Sequence, residues 1–190
     1  MIATVLAGLV VLSAPLQQSS FSCPVMGGAA EPGHAVDYRG VRYNMCCGGC
    51  DGQFAKNPGK FLESPKVAGK LLGASLFDPV TGLRIAAKNA KAATDYDGTR
   101  YYFASKDSVD TFKADPKKYA TYPEMEALYC PVMKHSVESY SEAGGYVDHE
   151  GVRYFVCCGD CMAALKKTPE KFVMGVKDKV KAPKAVAAKE

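Results

Sequence analysis

At 190 residues, the chain has room for one ordinary domain or several small ones. Its 23% charged and 47% apolar residues sit near globular averages, which excludes global disorder. The net charge of +4 is mild, and no basic patch interleaved with aromatics points to nucleic acid.

The chain opens on an apolar run, Ile2 to Ala14. A membrane-spanning helix needs about 20 apolar residues, so this run suits a signal-peptide core better. Residues 1–20 are therefore expected to direct export to a periplasmic or secreted location, with no stable membrane span once removed. No Lys or Arg precedes the run, and Leu12–Ser13–Ala14 is a poor cleavage site. An uncleaved segment would leave the protein membrane-anchored.

A first unit, residues 21–64, opens on Cys23-Pro24-Val25-Met26. In "DYRGVRYNM", Gly40 supplies a turn, since glycine alone tolerates positive φ without strain. Val41, Tyr43 and Met45 then alternate with Arg42 and Asn44, the period of a half-buried strand. Cys46, Cys47 and Cys50 follow, and Cys50 shares a helical face with Phe54. Pro58 should stop that helix and Phe61 lock a last turn onto the hairpin. The unit reads as a knuckle, a β-hairpin and a short helix, an α+β arrangement.

Residues 75–121 follow the same plan, with Asp78-Pro79-Val80-Thr81 at the knuckle, then "YDGTRYYF" and "SVDTFKADPKKY". Residues 128–175 return to Cys130-Pro131-Val132-Met133, with "HEGVRYFV" and "CMAALKKTPEKF". Gly40, Gly98 and Gly151 align, as do Arg42, Arg100 and Arg153, and Tyr43, Tyr101 and Tyr154. So do Pro58, Pro116 and Pro169, each followed three residues on by Phe61, Tyr119 or Phe172. Such coincidence identifies an internal repeat. The segments "ESPKVAGKLLGASL" and "TYPEMEALY" read as connections, and the Lys/Ala-rich residues 176–190 as a solvated, disordered tail. The cysteine-free middle unit is too small to stand alone and is expected to be held by its neighbours, in which case metal in the outer units is more than a structural rivet.

All eight cysteines fall in the outer units, at equivalent positions. Cys23, Cys46, Cys47 and Cys50 correspond to Cys130, Cys157, Cys158 and Cys161, and in the middle unit to Asp78, Ala104, Ser105 and Ser108. Cysteines present or absent as a set imply joint chemistry. A strand-end Cys46 and a helix-start Cys50 can both face the knuckle, so three thiolates converge. Cys47 is then the natural fourth ligand for tetrahedral Zn²⁺, whereas Cu(I) would accept fewer. A helix N-terminus should favour the thiolate form of both Cys47 and Cys50.

The series Cys-Pro-Val, Gly-x-x-Tyr, Cys-x-x-x-Cys and a Pro–Lys–aromatic ending resembles the TRASH/YHS-domain family of small metal-binding modules. Cys23, Cys46 and Cys50 fit its three-cysteine pattern, and Cys130, Cys157 and Cys161 fit with a gap four residues longer. The resemblance implies three tandem treble-clef-like units, two of which bind metal. Cys23, Cys46, Cys47, Cys50, Cys130, Cys157, Cys158 and Cys161 are the candidate ligands, for one Zn²⁺ or Cu(I) in each outer unit. The task implied is sequestration, sensing or delivery without turnover; the expected partners are metal ions and a metal-handling protein, and no nucleic acid.

Two alternatives stay open: thiol–disulfide exchange through the C-x-x-C pairs, and a disulfide-stabilised scaffold. His34, His135 and His149 occupy non-equivalent positions and read as solvated loop residues, while Met26 and Met133 read as core filler. No Ser–His–Asp set, phosphate loop or paired carboxylate supports a catalytic role.

Overall fold

The computed structural model describes residues 21–189. The apolar run expected to direct export lies outside them. In chain order, a hairpin of β1 (Ala35–Tyr38) and β2 (Val41–Asn44) leads into α1 (Gly48–Lys56) and α2 (Pro58–Leu62). After β3 (Gly73–Ser75) comes a hairpin of β4 (Ala92–Tyr96) and β5 (Thr99–Phe103), then α3 (Lys106–Ala114) and α4 (Pro116–Ala120). β6 (Met125–Ala127) precedes a short pair, β7 (Tyr129–Cys130) and β8 (His135–Ser136). A third hairpin, β9 (Gly145–His149) and β10 (Val152–Val156), leads into α5 (Gly159–Lys167) and α6 (Pro169–Val173). β11 (Val186–Ala187) follows. The fold is α+β.

The hairpins share one turn chemistry. Two residues, not glycine alone, take positive φ in each: Arg39 and Gly40, Asp97 and Gly98, Glu150 and Gly151. That mirror-image turn matches the twist of the flanking strands. Directly opposed in register across each hairpin, an Arg forks onto an Asp: Arg42 on Asp37, Arg100 on Asp95 and Arg153 on Asp148. Their Nε–Oδ1 distances are 2.8, 2.7 and 2.8 Å. The proline after each first helix opens the second one, in the first turn, where its missing N–H costs nothing. Asn57 and Asp115 cap those second helices by accepting the N–H of Lys60 and Lys118.

The two supposed connections carry strands. β3 pairs antiparallel with β2 and parallel with β5, so the first two hairpins join one sheet in the order β11-β1-β2-β3-β5-β4. β6 plays the same part for the third hairpin, parallel to β10 in the sheet β6-β10-β9. The middle segment's own core is small: Tyr101, Phe103, Val109 and Phe112. Its knuckle residue Phe77 packs instead into the third segment's core, 5.5 Å from the ring of Tyr146 and 5.6 Å from Phe155.

The C-terminal residues are not a solvated tail. Glu126 and Lys181 exchange both backbone hydrogen bonds at 2.8 Å, and β11 then adds to the free edge of β1. Arg42 donates to the carbonyl of Lys189, whose ammonium pairs with Glu138 and Glu142. Alternation of lysine with Val and Ala is the period of an edge strand as well as of a polar tail. Val180 and Val186 use it to pack against the third segment's core, and Ala185 against the first.

Candidate metal centre

Each knuckle is a tight reversal built the same way. Residue pairs Ser22–Ala29, Phe77–Arg84 and Tyr129–Ser136 bridge its ends. Inside, the N–H of Gly27, Gly82 or Lys134 bonds back to the carbonyl of Cys23, Asp78 or Cys130 at 2.7–2.8 Å. Those three closing residues all take positive φ. The reversal turns successive backbone N–H groups inward, forming a small anion-binding nest.

The middle segment shows what the nest is for. Asp78, fully buried, accepts the N–H of Val80 at 2.9 Å, Thr81 at 3.2 Å and Ala104 at 3.0 Å. The equivalent donors around the Cys23 sulfur are Val25, Met26 and Cys46, and around Cys130 they are Val132, Met133 and Cys157. Burial opposes ionisation of both thiols, yet these N–H groups outweigh it and hold Cys23 and Cys130 below the usual thiol range. At the position equivalent to Cys23 and Cys130, the middle segment places the side chain of Asp78 in the same nest. The site is built around a negative charge.

Two further thiols meet that charge. The sulfurs of Cys23, Cys46 and Cys50 all lie within 4.8 Å of one another, as do those of Cys130, Cys157 and Cys161. The Cys46–Cys50, Cys130–Cys157 and Cys157–Cys161 separations are each 3.6 Å. Sulfurs bonded tetrahedrally to one ion at about 2.3 Å would stand about 3.8 Å apart, so the triads fit a thiolate-bound metal. All eight cysteines are free thiols. Hydrogen bonding to the Cys23 thiolate raises Cys46, while burial followed by the Cys130 thiolate raises Cys157. A cation at the centre would replace the protons these sulfurs share.

Cys47 and Cys158 stand outside the triads and are exposed. Each is the N-cap residue of its helix, α1 or α5, the position of Ser105 before α3. Ser105 accepts the N–H of Ser108 at 3.1 Å, and Cys158 accepts that of Cys161 at 3.4 Å. The expectation that both Cys47 and Cys50 are acidified fails for the inner one. The hydrogen bond shared with Cys50 lowers Cys47, and the Cys161 N–H lowers Cys158. Burial pushes Cys50 and Cys161 well up. The helix end serves the exposed sulfur, and desolvation dominates the buried one.

Residues 76–122 match the YHS domain. That segment is the middle one, which has the same frame and no cysteine. No curated protein and no solved structure matches the chain. The YHS segment and the two flanking cysteine triads together are consistent with metal-binding modules of the TRASH/YHS type.

Three side-chain expectations change. Met26 and Met133 are 64% and 60% exposed beside their knuckles and fill no core. His34 is not merely solvated, because its Nδ1 lies 3.5 Å from Asp51 and its ring flanks Gly48, next to Cys47. The Asp of each Asp–Arg pair does carry a sequence signal: Asp37, Asp95 and Asp148 each precede the aligned arginine by five residues. Of the histidines, His135 is exposed and bonds the carbonyl of its neighbour Ser136.

Proposed function

We propose that this chain is an exported carrier of soft metal ions, holding one through Cys23, Cys46 and Cys50 and another through Cys130, Cys157 and Cys161. The three hairpin–helix segments are tandem treble-clef-like modules, of which the middle one is a spacer that binds no metal through thiolates. What carries the reading is the equivalence of Cys23 and Cys130 to Asp78: one N–H nest holds an anion three times, and two more thiols converge only where that anion is sulfur. Cu(I) is favoured over Zn²⁺, because three sulfurs complete a Cu(I) site, whereas structural Zn²⁺ takes four ligands. Two such sites in one chain suit sequestration or delivery to a metal-handling partner, with no chemical turnover.

Elemental analysis of anaerobically purified protein, with a free-thiol count, tests the reading. About one equivalent per triad is expected, with one lost in Cys50→Ser and the other in Cys161→Ser. Metal-free protein lacking free thiols would sink it in favour of a disulfide scaffold.

A further inference from the structure

The fourth cysteine of each cluster has no place in the triad and is its most accessible sulfur. Cys47 is exposed and 3.4 Å from Cys50, which is 2% exposed; Cys158 is exposed and 3.2 Å from Cys161, which is 4% exposed. These separations are shorter than the 3.6 Å between sulfurs within the triads. The approach is set by the backbone and not by sulfur chemistry, because Ser105 and Ser108 bring their hydroxyls to 3.1 Å at the same N-cap and third helical position. Thus each cluster pairs an outward sulfur that a reagent can reach with an inward sulfur that belongs to the metal site.

We propose that Cys47 and Cys158 are thiol–disulfide exchange sites through which a small-molecule disulfide ejects the bound metal. The inference rests on the metal-binding reading of the same clusters. The Cys47 thiolate attacks one sulfur of the disulfide RSSR, forming a mixed disulfide and releasing RS⁻. The Cys50 sulfur then attacks Cys47 Sγ, expels the second RS⁻ and leaves a Cys47–Cys50 disulfide. Two protein sulfurs are oxidised and RSSR is reduced to two thiolates, one of which takes the proton lost by Cys47. Cys50 can no longer bind as a thiolate, so the ion keeps only Cys23 and Cys46 and dissociates. Cys158 and Cys161 do the same beside Cys130 and Cys157. Reduction by a dithiol restores the site.

The test loads the full chain anaerobically with Zn²⁺, chosen because it is redox-silent, and adds glutathione disulfide. Zinc release is followed with a chromogenic chelator, and disulfides are mapped by peptide mass spectrometry in both loaded and metal-free protein. Wild type should release its zinc as Cys47–Cys50 and Cys158–Cys161 disulfides form. Cys47→Ser/Cys158→Ser, whose serines can cap the helix as Ser105 does, should bind the same zinc and release it at least about tenfold more slowly. Equal release rates, loss of zinc binding in the double variant, or disulfides mapping to Cys23–Cys46 or Cys130–Cys157 would each overturn the proposal. Failure of wild type to bind zinc or Cu(I) counts against the metal reading instead, and the metal-free disulfide map still decides whether these are the exchanging pairs.

Discussion

The middle segment and its two neighbours share a frame and differ in what fills it. All three have the knuckle, the mirror-image hairpin turn, the forked Asp–Arg pair and the proline-split helices. In the outer two the knuckle holds a sulfur with two more sulfurs in reach; in the middle it holds Asp78, which satisfies the N–H nest without help. The comparison separates two jobs that a metal site usually combines. Holding the knuckle closed needs only a buried anion, and a carboxylate does it. Gathering three thiols is not needed for that, so it is available for metal handling.

The sharpest way to break this comparison is to convert the middle segment. Asp78→Cys/Ala104→Cys/Ser108→Cys should add a third site, raising bound metal by about one equivalent in elemental analysis. No gain would mean that the frame alone does not set the thiol geometry. Next in size, Phe112→Ala should cost about 3–5 kcal/mol in denaturant unfolding, because Phe112 packs in tilted and edge-on contacts against Tyr101, Phe103 and Tyr96 in the smallest of the cores. Metal content should not change. A fall in metal content would show that the outer sites depend on the middle core.

Asp78→Ala should destabilise by about 3 kcal/mol, since it strands three backbone N–H groups in a buried nest. Asp78→Asn should recover part of that loss. Equal stability of Asp78→Ala and wild type, measured by thermal and chemical unfolding, would remove the anion from the argument.

A pH-dependent effect concerns the C-terminal strap. Burial raises the Glu126 carboxyl to about 7, against the opposing hydrogen bond from Tyr140 at 2.5 Å. A carboxyl raised in the folded state contributes stability that is complete below its unfolded value of about 4.5 and lost as pH rises through about 7. Stability should therefore decline across that window, and Glu126→Gln should flatten the decline. An unchanged pH profile in the variant would show that Glu126 does not titrate there.

Much of one segment was legible in the sequence because its determinants are local. Gly40 marked a turn, Val41 and Tyr43 a strand, and Pro58 a helix boundary, each through short-range backbone geometry or side-chain period. The cysteines were legible as two sets because their spacing joins a strand end to a helix start. Less visible was where each sulfur would sit. Cys46 and Cys47 are neighbours in sequence, yet one turns into the triad and the other stands exposed at the N-cap position of α1. Desolvation then separated the two thiols of each C-x-x-C in a direction that spacing could not give.

By itself, then, the sequence determined the hairpin–helix frame, its recurrence along the chain and the residue types offered to a metal. Only the tertiary structure decided that β3 and β6 would knit those frames into sheets, that residues 180–189 would close an edge, and which sulfurs would converge. The reason is physical. Turns and periods are set by neighbouring residues, whereas edge pairing and burial depend on which distant surface arrives opposite them.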